Sequence, residues 1–244
     1  HYRTWGEPGA PVVWCSHGLT CNAEDFDWLA RALASDYYVV APDMPGRGGS
    51  SHIEDPQYYD NGFYLRLSLH LIDALAIRRL VWLGASMGGI LGMMSAEARS
   101  SLLRGLFLND IGAELSYEGL SAIASRADTP PPEGDDTALL EWLRRAFAGF
   151  GLETEAQWQH LLQSRVRRGA DGHLHLRHDP AVMRPIQTLV AALEPPQDVS
   201  LQGLWEAVRC PVLLFRGEHS ALLRPETASA MTQPGPPEVR VETI

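Results

Sequence analysis

The sequence lacks a long hydrophobic run: no stretch of about 18 or more apolar residues, the length that a membrane-spanning helix needs, occurs in it. A membrane span is therefore not expected. No basic segment followed by an apolar stretch opens the chain, so no signal peptide is visible. The first residue is His1 rather than methionine, and we expect further residues upstream of it.

Basic residues and cysteines are both scarce. The chain has 20 lysines and arginines against 30 aspartates and glutamates, which gives a formal net charge of −10. Because nucleic acids and anionic membranes bind through basic side chains, neither is an expected partner. The 3 cysteines have no zinc-type spacing, which indicates reduced thiols rather than a disulfide framework. These absences predict a cytoplasmic protein and leave its oligomeric state open.

What the chain does have is an alternation of strand and helix signals. In order, the first part of the chain shows a strand at 11–16, a helix at 23–35, a strand at 37–43, a helix at 63–77, and strands at 78–84 and 102–110. The total of 244 residues fits one large domain. This alternation predicts an α/β fold with a mostly parallel open sheet and helices on both faces.

The alternation stops in the middle of the chain. This stretch holds an acidic, proline-rich segment and two amphipathic helices, predicted at 137–150 and 154–168. Strand and helix signals then return. We therefore predict a helical cap at 112–196, inserted between two parts of one core, 1–111 and 197–244, and placed over the C-terminal ends of the strands.

One serine stands at an unusual corner. The sequence Gly84-Ala85-Ser86-Met87-Gly88 ends an apolar strand and opens a helix-compatible run. A sharp strand-to-helix turn strains the backbone of the serine, and only glycines two residues to either side leave room for it. The turn lifts the hydroxyl clear of the sheet, where the helix start presents N–H groups to a bound substrate. The pentapeptide alone is equally compatible with a tight turn whose serine caps the helix.

A second signal follows the first predicted strand. The stretch WCSHGLTCN (14–22) places His17 and Gly18 at the end of that strand. In acyl-transfer enzymes with this layout, one oxyanion-binding N–H comes from this loop and another from the residue after the nucleophile. These donors are predicted to be the backbone N–H groups of Leu19 and Met87. We expect His17 to brace the loop by hydrogen bonding rather than to act in catalysis.

These motifs resemble those of the α/β-hydrolase superfamily. The matching stretches are SHGLT, PDMPGRGGSS, GASMGG and CPVLLFRGEHSALL, which follow the family's order along the whole chain. The resemblance implies a serine hydrolase with Ser86 as nucleophile, a helical cap, a small-molecule acyl substrate, and neither a metal nor an organic cofactor. A dinucleotide-binding fold is rejected because the loop after the first strand lacks the glycine-rich turn that a pyrophosphate needs.

The resemblance also implies an acid that this sequence lacks. In similar hydrolases an aspartate follows the LLFRG strand by three or four residues, where this chain has Ser220 and Ala221. Three explanations stay open, in order of preference. In the first, an aspartate at position 221 was replaced by alanine to inactivate the enzyme. In the second, Asp110 after the LFLND strand serves as the acid. In the third, Glu218 does. For Asp110, we favour capping of the loop that follows it over catalysis.

The family order places the catalytic histidine after the last strand, yet Ile244 comes where that strand finishes. We expect that histidine beyond Ile244. The other histidines fall on helices, in the insertion or on the acid loop, and His219 is the nearest alternative. A serine hydroxyl without a base is a weak nucleophile near neutral pH, so residues 1–244 alone are expected to have almost no hydrolase activity.

The substrate is less constrained than the fold. We predict hydrolysis of a carboxylic ester or a related acyl bond. Alternatives on the same fold are hydrolysis of a C–C bond, a lactone or a thioester, acyl transfer, and a receptor that binds a ligand without turnover. The side chains predicted to line the substrate pocket are His17, Trp142, Phe147 and Trp158. Helix packing against the sheet accounts equally well for the aromatic ones.

Overall fold

The computed structural model describes residues 1–128, 131–232 and 235–244. Its strands are β1 (Tyr2–Trp5), β2 (Val12–Ser16), β3 (Tyr38–Pro42), β4 (Leu80–Ala85), β5 (Leu103–Asn109), β6 (Glu114–Leu115), β7 (Val166–Arg168), β8 (Leu174–Leu176), β9 (Val199–Ser200), β10 (Val212–Arg216) and β11 (Val239–Thr243). Its α-helices are α1 (Asp27–Leu33), α2 (Asn61–Ala74), α3 (Met87–Ala98), α4 (Tyr117–Ala124), α5 (Asp136–Ala146), α6 (Glu155–Arg165), α7 (Arg184–Ala192), α8 (Gln202–Ala207) and α9 (Pro225–Ala230). Short 3₁₀ helices span Ala23–Phe26, Pro56–Tyr58, Ser125–Asp128 and Pro180–Met183. None of the helices in these residues is long and apolar enough to cross a membrane.

Seven strands form one sheet in the order β1-β3-β2-β4-β5-β10-β11. Strand β1 pairs with β3 in the antiparallel sense, and each of the other neighbouring pairs is parallel. Parallel neighbours require crossover connections, which the helices between the strands supply. The predicted α/β fold with a mostly parallel open sheet is confirmed.

Helices cover both faces of the sheet because successive side chains of a strand point to opposite faces. In β2, Trp14 is fully buried and packs on Trp82 of β4, with ring centroids 5.8 Å apart, in a core that it shares with α2, α3 and α8. Val13 and Cys15 point the other way, into a smaller core with Phe26. Burial on both faces accounts for the continuous apolar runs of the central strands.

The inserted segment, residues 112–196, contributes none of its described strands to the seven-stranded sheet. It contains α4 to α7, the short strand β6, and a hairpin of β7 and β8. Helices α5 and α6 pack on each other in a core of their own, formed by Leu139, Leu143, Phe147, Leu161 and Leu162. Helices α5 and α6 are therefore held together by apolar contacts of their own, whereas α4 and α7 pack in the main core through Leu120 and Ile186.

The two helices predicted for this segment both end earlier than expected. Helix α5 ends at Ala146 rather than at 150, and α6 ends at Arg165 rather than at 168. The prediction for α6 is wrong at its end because Val166–Arg168 form β7, which pairs with β8 across a turn at Gly172, where φ is 83°. This hairpin was not predicted, because its strands, Val166–Arg168 and Leu174–Leu176, are too short to show an alternating pattern. Helices α4 and α7 were not predicted either, and they pack on each other although they are distant in sequence.

Candidate active site

Ser86 joins β4 to α3 in a strained backbone conformation, with φ of 49° and ψ of −116°. The flanking glycines are sterically required. A Cβ at Gly84 would lie 2.3 Å from the carbonyl oxygen of Gly88, and a Cβ at Gly88 would lie 1.9 Å from that of Ser16. The Ser86 side chain makes no cap hydrogen bond. The alternative of a helix-capping serine is therefore wrong, and Ser86 instead lines a large cavity.

The peptide between Gly18 and Leu19 is oriented by hydrogen bonds to its carbonyl group. The Gly18 oxygen accepts from Nδ1 of His17 at 2.7 Å and from the N–H of Cys21 at 3.2 Å. In a trans peptide the N–H points opposite to the C=O, so the N–H of Leu19 is turned away from these donors. It donates to no acceptor in the part of the chain that is described, and Leu19 lines the same cavity as Ser86.

The N–H of Met87 is the second predicted donor and the first N–H of α3. N–H groups in the first turn of a helix have no intrahelical acceptor, and that of Met87 finds no other one among the described residues. The carbonyl of Ser86, in the same peptide, accepts from the N–H of Gly89 at 2.8 Å, which turns the Met87 N–H outward from the helix end. One cavity is thus lined by the Ser86 hydroxyl and by two residues whose N–H groups have no acceptor within residues 1–128, 131–232 and 235–244.

His17 is fully buried and both of its ring nitrogens are engaged. Nε2 accepts from the N–H of Met44 at 3.0 Å, so Nδ1 carries the proton that is donated to Gly18. Burial, together with the nearby charge of Arg47, lowers the pKa of His17 to about 4. The imidazole is therefore neutral at pH 7 and ties the 17–19 loop to the turn after β3.

Acid should destabilise the protein through His17. Its pKa is about 4 in the folded chain and ordinarily 6.5, so the unfolded chain binds more protons between these values. Stability is therefore fully present above pH 6.5 and is lost as the pH falls toward 4. From pH 7 to pH 5 we expect His17 to account for about 2 kcal/mol of lost unfolding free energy. Urea unfolding at both pH values measures this loss.

Two variants separate His17 from the other titrating groups. In His17→Asn, the loss between pH 7 and pH 5 should shrink by that amount, and His70→Asn, which replaces an exposed histidine, is the matched control for the substitution itself. An unchanged pH dependence in His17→Asn would show that His17 is protonated as readily in the folded chain as in the unfolded one.

Asp110 follows β5 with a left-handed φ of 54°. Its carboxylate accepts from the Ser220 hydroxyl at 2.8 Å and from the Gly217 N–H at 3.3 Å, so it fastens the loop after β10 to the end of β5. Ala221 lines the cavity beside them, and its methyl group cannot accept a hydrogen bond. Glu218 is exposed and lies outside the cavity lining. The structure therefore brings Asp110 and position 221 to the cavity, but not Glu218.

The cavity has a volume of about 1590 Å³ and lies between the sheet and the inserted segment. Trp142 and Phe147 line it, as does His17. Trp158 does not. It lies next to Gln157 of the cavity wall, but one residue along a helix is a rotation of about 100°, and its ring packs inside the inserted segment instead. Lining side chains that the sequence analysis missed are Leu120, Ile123, Met183, Ile186 and Leu189.

Two further histidines line the cavity and were not predicted there. Nε2 of His160 donates to the carbonyl oxygen of Glu24 at 3.0 Å, and its ring stacks on Trp28 with centroids 5.3 Å apart. Burial lowers the pKa of His178 to about 4, which keeps that imidazole neutral. The sequence carries no signal for either placement, because each depends on how the inserted segment folds over the core.

Comparisons with known proteins identify the family of this chain. The sequence model of the alpha/beta hydrolase family matches residues 12–241. The 3-hydroxybutyrate-oligomer hydrolase of Cupriavidus necator is 35% identical over 238 residues, which cover 96% of this chain and 81% of that protein.

Solved structures extend the similarity to three dimensions. An alpha/beta hydrolase from Novosphingobium aromaticivorans is 32% identical, with a TM-score of 0.85 over 100% of this chain and 85% of that one. A candidate hydrolase from Rickettsia typhi is 30% identical, with a TM-score of 0.90 over 100% of this chain and 82% of that one. The resemblance seen in the motifs is confirmed. The protein is a hydrolase and belongs to the alpha/beta hydrolase family.

Proposed function

We propose that this hydrolase cleaves carboxylic esters through an acyl-enzyme on Ser86. One observation carries the proposal: the strained Ser86 shares a cavity with Leu19 and Met87, whose N–H groups have no acceptor among the described residues. Such donors stabilise the negative charge that develops on a carbonyl oxygen under attack. Removal of one typically raises the barrier by about 3–4 kcal/mol.

The proposed reaction has two stages. The Ser86 oxygen attacks the ester carbonyl carbon while its proton passes to a base, and the resulting oxyanion accepts hydrogen bonds from the N–H groups of Leu19 and Met87. Collapse of this intermediate expels the alcohol, which takes the proton from the base, and leaves an acyl group on Ser86. Water then attacks the acyl-enzyme in the same way, which releases the carboxylic acid and restores the hydroxyl.

The family order supplies the base, which we propose to be a histidine that follows β11. The three histidines of the cavity are not suited to this role. His17 has both ring nitrogens engaged, and His160 is held by the Glu24 carbonyl and the Trp28 ring rather than by a carboxylate, as far as the described residues show. The pKa of His178, about 4, makes it a poor proton acceptor near neutral pH. An acid at position 221 would orient the proposed base, which the methyl group of alanine cannot do. We therefore expect a low rate of ester hydrolysis for the sequence with Ala221.

For the substrate we propose an oligomeric ester of a short hydroxy acid. The relative from Cupriavidus necator is named for hydrolysis of 3-hydroxybutyrate oligomers, and its similarity extends over 96% of this chain. The cavity volume of about 1590 Å³ exceeds the roughly 300–1,000 Å³ of common ligand sites, which leaves room for several ester units. Trp142 and Phe147 give its wall apolar surface for the hydrocarbon parts of such a chain.

A substrate panel with the full-length protein tests the proposal, both with Ala221 and with Ala221→Asp. We expect hydrolysis of 3-hydroxybutyrate dimers and trimers and of p-nitrophenyl esters, but not of matched amides or meta-cleavage diketones. Ser86→Ala should remove the hydrolysis. Ser95→Ala is the matched control, since it deletes a buried hydroxyl from the same helix and should leave the rate intact.

Each other outcome selects a different function. Preference for thioesters, lactones or diketones would replace the ester assignment while keeping Ser86 as nucleophile. Ligand binding without turnover in both forms would favour a receptor, which alanine at 221 also suits. Ester hydrolysis that survives Ser86→Ala at the parent rate would overturn the proposed mechanism.

A further inference from the structure

Arg47 is a fully buried arginine in the turn after β3. Its Nε donates to the carbonyl oxygen of Leu19 at 2.8 Å, and its Nη1 donates to the carbonyl oxygen of Pro45 at 2.8 Å and to the Tyr64 hydroxyl at 2.6 Å. Nη2 lies 3.9 Å from the sulfur of Met87. One planar side chain thus touches both residues whose N–H groups are assigned to the oxyanion.

The charge of Arg47 has no carboxylate partner within 4.0 Å in the described residues. The guanidinium lies instead against two aromatic rings: its carbon is 4.8 Å from the ring centroid of Tyr64 and 5.6 Å from that of Tyr59. Burial of a charge without a counter-ion costs several kcal/mol, and an apolar side chain of similar size is often as stable or more so. Stability alone therefore gives a poor reason for an arginine at this position.

We propose that Arg47 is a positioning residue of the oxyanion site, an inference that rests on the proposed function. Its bond to the Leu19 carbonyl adds to the bond that His17 makes to the carbonyl of Gly18 in the same loop, and its contact with the Met87 sulfur links it to the first residue of α3. Because one planar guanidinium contacts both residues, we expect it to fix the spacing of their N–H groups around a single oxygen. Its unneutralised positive charge also favours the oxyanion over the neutral carbonyl.

This role has a kinetic signature. A group that acts on the oxyanion stabilises the transition state more than the bound ester, so its loss lowers kcat and leaves KM nearly unchanged. In the Ala221→Asp protein, Arg47→Met should lower kcat by about 10- to 100-fold, somewhat less than the roughly 10²- to 10³-fold caused by loss of one oxyanion donor. KM should change by less than about 3-fold.

Inhibitor affinities give a readout that does not need turnover. A trifluoromethyl ketone forms an oxyanion-bearing adduct with the serine, whereas the corresponding secondary alcohol only occupies the cavity. Arg47→Met should weaken the ketone by the same factor as kcat and leave the affinity for the alcohol unchanged. Arg47→Lys keeps the charge but loses the planar fork, so its kcat should lie between those of the parent and Arg47→Met.

Controls distinguish positioning from general loss of structure. Ile72→Ala removes packing from the same core, away from the cavity lining, and should lower the thermal midpoint without lowering kcat. If Arg47→Met does not fold, Tyr64→Phe removes one acceptor of the guanidinium and should lower kcat by a smaller factor at constant KM. An unchanged kcat in whichever variant folds, or a loss that lies wholly in KM, would overturn the role of Arg47. If Ser86→Ala retains the parent rate, the proposed function itself fails, which is a separate result.

Discussion

Replacement of Ala221 by aspartate is expected to raise kcat for ester hydrolysis by the full-length protein by about 10⁴-fold. A carboxylate there would accept a hydrogen bond from the base histidine, hold its productive tautomer, and stabilise the imidazolium that forms as Ser86 loses its proton. Ala221 lines the cavity and is exposed, so the larger side chain has room. KM should change little, because the carboxylate is proposed to act on the base rather than on the ester. Initial-rate kinetics with a p-nitrophenyl ester measure both constants.

Asp110 provides the control for this gain. Its carboxylate already holds Ser220 and Gly217, so Asp110→Asn should lower the thermal midpoint by loosening the loop after β10. In the Ala221→Asp protein we expect Asp110→Asn to reduce kcat far less than the gain at position 221. If Ala221→Asp instead leaves kcat unchanged and Asp110→Asn abolishes it, Asp110 is the acid, and the role proposed for position 221 is wrong.

The parts that could be predicted from the sequence are those decided by near neighbours. Gly84, Ser86 and Gly88 lie within five residues, and the steric conflict that a Cβ would meet at either glycine follows from the sharp turn itself. The apolar runs of the central strands likewise indicate burial on both faces wherever they occur. Local patterns of this kind were sufficient to predict the mostly parallel sheet and the strained turn at Ser86.

The rest depends on contacts between residues far apart in sequence. The tautomer of His17 is set by the hydrogen bond that Nε2 accepts from the N–H of Met44. Asp110 accepts a hydrogen bond from Ser220 only because the strands β5 and β10 are neighbours in the sheet. Trp158 shows the same limit within one helix, since its distance from the cavity depends on which face α6 turns inward.

Covalent capture of Ser86 is the other large effect expected. The oxygen of an activated serine attacks the phosphorus of a fluorophosphonate and displaces fluoride, while the hydroxyl proton passes to the base. The product is a tetrahedral phosphonyl adduct with an oxygen in the place of the oxyanion. It therefore reports on the hydroxyl and on the Leu19 and Met87 N–H groups together. Labelling of the Ala221→Asp protein should be stoichiometric and should be absent in Ser86→Ala. Ser95→Ala should be labelled fully, because that hydroxyl lies buried in α3.

Whether the hydroxyl at the β4–α3 junction is a nucleophile can be decided by one mass-spectrometric experiment. The full-length Ala221→Asp protein is exposed to a fluorophosphonate, digested and mapped. Our proposal predicts a single phosphonyl group per chain, on the peptide that contains Ser86. An unlabelled protein, or a label that persists at the same rate in Ser86→Ala, would contradict it.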